Sequence, residues 1–140
     1  MSDSPIFNQA GPEAFQWALI RVVPRVERGE CFNAGVVLFC RQLDFLGVKV
    51  GLDERRLAAL APDASAGDVR AHLDARVRVA AGDPGAGMIA ALPASERFGW
   101  LVAPSSTIIQ PSAVHTGLSD DPQATLDALF TELVEPLPAP

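Results

Sequence analysis

Apolar and polar residues alternate first with the period of strands and then with that of helices. Phe15 to Val23, FQWALIRVV, is rich in β-formers and stops at Pro24. Alternation sets Trp17, Leu19, Arg21 and Val23 on one face and Ala18, Ile20 and Val22 on the other. Ala34 to Arg41, AGVVLFCR, is apolar on both faces, which predicts a central strand covered from both sides. Phe45 to Gly51, FLGVKVG, alternates Leu46, Val48 and Val50 with Phe45, Gly47 and Lys49, the pattern of a half-buried strand. With Gln42–Asp44 as a turn, these strands predict an antiparallel meander.

Beyond Asp53 the period lengthens. Asp53 is placed to cap a short helix through Leu60, stopped by Pro62. Ser65 to Asp68, SAGD, resembles a capping box with Asp in place of Glu or Gln. Val69, Leu73 and Val77 then recur every four residues, one stripe of a helix running to about Ala81. Gly82 to Gly87, GDPGAG, breaks that helix, and Met88 to Leu92 is expected to add one turn before Pro93. Phe98 to Ala103, FGWLVA, and Ser106 to Gln110, STIIQ, are short and β-like, and predict one or two late strands. In the last element Asp121 caps and Pro122 takes the first helical position. Leu126, Leu129, Phe130, Leu133 and Val134 form its apolar stripe up to Pro136.

Strands first, helices next and a late strand pair predict an α+β fold rather than alternating α/β. The expected architecture is a three-stranded antiparallel meander plus one or two later strands, packed against two or three helices. Residues 1–14 are expected to be a loose tail and residues 15–140 a single α+β domain.

Composition narrows the classes of function. The chain has 140 residues, enough for a core without disulfide or metal staples, and is 49% apolar and 20% charged. No apolar run approaches the roughly 20 residues of a membrane-spanning helix. The start, MSDSPIFNQAGPEAF, lacks the basic residues and apolar run of a secretory signal, so the expectation is a cytoplasmic protein. The net charge is −6, which argues against phosphate-backbone recognition. No tyrosine is present and aromatics make up 6%, so a base-stacking platform lacks its usual parts. Cys31 and Cys40 form no C-x-x-C. With His72 and His115 they also lack the paired spacing of a zinc site. They are expected to be small, largely buried thiols, and neither a metal nor a cofactor is predicted.

Two polar stretches stand out. Pro24 to Asn33, PRVERGECFN, joins two strands that a two-residue hairpin would serve, and it carries Arg25, Glu27, Arg28 and Glu30. Arginines beside the carboxylates favour ordinary ion pairs over a metal or acid–base pair. Arg97 to Gly117, RFGWLVAPSSTIIQPSAVHTG, packs Ser105, Ser106, Thr107, Gln110, two prolines and His115 into a short span. Arg97 with the three hydroxyls and Gln110 would suit an anion. The same hydroxyls would equally satisfy backbone groups in an irregular crossover. His115 with Ser105, Ser106 or Ser112 would supply base and nucleophile of a hydrolase, but there is no G-x-S-x-G elbow, and Asp121 already serves as a cap. GDPGAG lacks the G-K-[ST] ending of a phosphate loop.

Trp17 to Arg41, WALIRVVPRVERGECFNAGVVLFCR, together with Arg97 to Leu118, RFGWLVAPSSTIIQPSAVHTGL, resembles the bacterial domain-of-unknown-function family 3037. The similarity runs from about Phe15 to Val134. It implies one compact domain and no established activity, cofactor or catalytic residue. It further implies a HipA-like kinase as partner, with Ser105, Ser106 or Thr107 as candidate phosphoacceptors. The leading expectation is a non-enzymatic protein-binding or regulatory module with Arg25, Arg28, Arg97, Ser105 and Ser106 on one surface. The alternative is a small enzyme or ligand-binding domain for a phosphorylated metabolite or nucleotide, with His115 as acid–base group.

Overall fold

A computed structural model describes residues 11–138. The first ten residues, most of the expected tail, and residues 139–140 lie outside that range. β1 (Glu13–Val22) begins two residues before the predicted strand. β2 (Phe32–Cys40) and β3 (Phe45–Val50) complete the antiparallel meander. α1 (Glu54–Leu60) and α2 (Ala66–Ala80) start where the sequence places their caps: Asp53 accepts from the Arg55 and Arg56 amides, and Ser65 accepts from Asp68. Then come α3 (Ala94–Leu101), β4 (Ile109–Pro111), β5 (His115–Ser119) and α4 (Pro122–Leu133), the last capped by Asp121. The architecture is α+β, an antiparallel sheet with helices on both faces.

The sheet order is β3-β2-β1-β4, with β5 also paired to β1. β4 and β5 therefore run in tandem along one edge of β1. Because β2 is apolar on both sides, it builds two cores. One joins Val37 and Phe39, with Ile20 and Val22 of β1, to Leu73 and Val69 of α2 and Phe98 of α3. The other joins Val36 and Leu38 to Leu126 and Phe130 of α4. Asn33 Nδ2 donates to the Leu133 carbonyl at 2.9 Å and ties the end of α4 to the sheet.

The predicted strand over Phe98–Ala103 is corrected: these residues largely form the end of α3. Phe98 and Leu101 are buried three residues apart while Trp100 is 42% exposed, so helical burial overrides the β-propensity of the segment. The helix count accordingly rises to four among the described residues. The Ser106–Gln110 strand shrinks to Ile109–Pro111, because Ser105 and Thr107 are spent in a turn. β5 has no counterpart in the sequence reading.

Ser112 repairs the break between β4 and β5. Its amide donates to the Leu19 carbonyl at 2.9 Å, and its hydroxyl accepts from the Leu19 amide at 2.8 Å. The hydroxyl itself donates to Ala113. Ser112 is 8% exposed, so Ser112→Ala leaves a buried amide unpartnered. The expected loss is about 1–3 kcal/mol in urea unfolding.

Candidate functional site

The β1–β2 connection is shaped by its own sequence. Pro24 ends β1, residues Val26–Arg28 make a turn of 3-10 helix, and Gly29 takes a left-handed conformation at φ 70° to close it. Arg28 grips Glu30 through two bonds, Nε to Oε1 at 2.7 Å and Nη2 to Oε2 at 3.2 Å. That contact raises the Arg28 pKa and holds the Glu30 carboxyl below its ordinary range. Arg25 reaches out to Asp63 at 2.7 Å. Both cations predicted for this loop thus have carboxylate partners of their own.

The second stretch is also organised from within. The Thr107 hydroxyl donates to the Ile109 carbonyl at 3.0 Å, so Ser105 donates to Thr107 Oγ1 at 2.9 Å and accepts from the Thr107 amide. Gln110 Nε2 donates to the Thr107 carbonyl. Ser105 and Thr107 therefore hold the turn, while Ser106 is exposed and makes no side-chain hydrogen bond among the described residues. Arg97 lies elsewhere. Its guanidinium donates to the carbonyls of Leu92, Val79 and Ala80, at 2.6 Å to the last, and closes the C-terminus of α2. His115 sits on β5 with its ring 4.7 Å from that of Trp17.

The two stretches do meet. Gly29 and Cys31 of the first and Ser105, Ser106 and Gln110 of the second line one open cleft of about 320 Å3. The cation in it is Arg21, paired across the sheet with Gln110. Val23 and Pro111 supply apolar lining. Among the described residues Arg21 has no carboxylate partner, unlike Arg25 and Arg28. Cys31 is exposed rather than buried, which corrects the expectation for that thiol; Cys40 is buried in the sheet. The loop holds Cys31 outside β2, beyond the cover of either core.

In the sequence Arg21 reads as one more residue of a strand face. The signal was present: a lone charge in the otherwise apolar set Trp17, Leu19, Val23, at the end of the strand. The cleft offers one guanidinium, a free hydroxyl, the amide oxygen of Gln110 and an apolar wall. The guanidinium and the hydroxyl suit one carboxylate or phosphate group, and the Gln110 oxygen, which only accepts, suits an N–H of whatever carries that group. Among the described residues no three His, Cys, Asp or Glu side chains gather at metal-binding distance, and no helix is long and apolar enough to cross a membrane.

No curated protein and no solved structure matches the chain. A protein-family profile matches residues 17–134, a span that holds both polar stretches and nearly every element of the fold. The chain thus belongs to the family described as "Protein of unknown function (DUF3037)".

Proposed function

We propose that this chain is a non-enzymatic partner-binding module, and that the Arg21 cleft holds an acidic group on a segment of another protein. The observation that carries this reading is the convergence of two distant polar stretches on an arginine without an ion-pair partner among the described residues. An unpaired guanidinium beside a hydroxyl favours bidentate capture of a carboxylate or phosphate. The open mouth admits a chain, and the apolar wall of Val23 and Pro111 adds contact for the residue beside the acid.

Arg25 and Arg28 belong to the same loop, but each is already paired with a carboxylate, Asp63 and Glu30, so Arg21 is the cation left for the partner. The HipA-like kinase implied by family resemblance is the first partner to test. The alternative, a site for a phosphorylated metabolite or nucleotide, rests on the same arginine. It is less well supported, because small-molecule sites of about 300–1,000 Å3 enclose most of their ligand and this one is open. His115 is not among the residues lining the cleft, so it supplies no acid–base group there.

Calorimetric titration separates the two. Peptides from acidic or phosphorylated segments of the kinase-like partner are expected to bind with salt-dependent affinity, and their neutral counterparts to fail. Inorganic phosphate and nucleotides are expected to give no comparable heat. Tight nucleotide binding with no peptide binding would reverse the order of the two readings.

A further inference from the structure

β4 and β5 share one edge of the sheet, but their outer sides differ. The Val23 amide donates to the Ile108 carbonyl and the Ser112 amide to Leu19, so odd-numbered residues of β1 turn their backbone groups toward this edge. By alternation, Trp17–His115, Phe15–Gly117 and Glu13–Ser119 are hydrogen-bonded pairs. The residues between them point their N–H and C=O groups outward. On β4 these are Ile109, whose carbonyl already accepts the Thr107 hydroxyl, and Pro111, which has no N–H. On β5 they are Thr116 and Leu118, and no loop or side-chain bond reaches their backbone among the described residues.

The β5 edge also lacks the charges that natural sheets place on exposed edges. From Gln110 to Ser119 there is no Asp, Glu, Lys or Arg, although 20% of the chain is charged. Leu118 is 70% exposed. Gly117 lets the buried Phe15 ring lie against it: a Cβ there would fall 2.7 Å from that ring, which would have to shift.

We propose that β5 pairs antiparallel with β5 of a second copy of this chain, across a two-fold axis at Gly117. This register sets Thr116 of one copy opposite Leu118 of the other. Both have outward-facing backbone groups, so both related pairs exchange N–H···O bonds in each direction. Charge limits where two copies can meet: molecules of net charge −6 repel over most of their surfaces, and this strip carries no Asp, Glu, Lys or Arg. Asp120 and Asp121, just past β5, fall at opposite ends of the interface in an antiparallel register and do not face their copies. A short strand buries less than the roughly 1,200 Å2 of a stable interface, so the dimer is weak, with a dissociation constant above about 10 μM.

Sedimentation equilibrium up to about 1 mM spans that range. The wild type is expected to move from the monomer mass toward twice it. Leu118→Lys places two like charges diagonally across the interface and is expected to weaken the dimer at least tenfold. Met88→Lys, at a position 88% exposed elsewhere, is expected to change nothing. Hydrogen exchange on the wild type needs no variant: the Thr116 and Leu118 amides should slow with concentration while the Ile109 amide does not. A wild type that stays monomeric throughout, or a Leu118→Lys chain that dimerises equally well, overturns the proposal.

Discussion

Replacing Arg97 with alanine is expected to destabilise the fold by about 3 kcal/mol and to leave binding at the cleft unchanged. The guanidinium donates to three carbonyls: Val79 and Ala80 at the end of α2, and Leu92 before α3. Hydrogen bonds from a charged group contribute about 1.5–3 kcal/mol each, are not additive, and are weakened here by partial exposure. Alanine would leave the last carbonyls of α2 to water and loosen α3, whose Phe98 belongs to the same core. Lysine would restore one bond and the favourable charge at the helix end, but not the fork that spans two segments. Urea unfolding of wild type, Arg97→Ala and Arg97→Lys checks this, with the lysine variant expected in between. A wild-type unfolding midpoint in Arg97→Ala would refute the anchoring role.

Arg21→Ala is expected to do the opposite. Its affinity for an acidic peptide should fall about thirtyfold, near 2 kcal/mol, the scale of one charge-assisted pair. Stability should fall by less than about 1 kcal/mol, because half-buried Arg21 makes no side-chain hydrogen bond or ion pair among the described residues and loses only the packing of its stem. The salt dependence of binding should flatten with it, because the cleft's cation is gone. Equal affinity in Arg21→Ala and wild type, measured by calorimetry at low salt, would remove Arg21 from the site. The pair of variants separates a guanidinium that holds helices together from one that awaits a ligand.

Much of the fold was legible because its signals are local. Asp53, Ser65 and Asp121 cap the helices the sequence assigns to them, and a doubly apolar β2 lies in the sheet between two cores. α3 was not legible, since Phe98, Trp100 and Val102 have strand-like propensity and only the packing of Phe98 and Leu101 decides for helix. β5 was missed because His115, Thr116 and Gly117 carry no apolar alternation. It exists as the continuation of β4 along β1, a long-range pairing that local sequence does not encode. The candidate site was half legible for the same reason. Both polar stretches are visible in the sequence, but the partners of Arg25 and Arg97 are set by distant chain: Asp63 and the end of α2. Arg21 is left over only once those pairings are known.

The central claim is that the cleft around Arg21 is the contact surface, and amide chemical-shift mapping during titration with the tightest acidic peptide tests it most directly. The account predicts saturable shifts at Arg21, Gly29, Cys31, Ser106 and Gln110, with Arg97 and His115 unmoved. Saturable binding whose shifts cluster on α4 or the β5 edge, and leave those five residues unchanged, would contradict it.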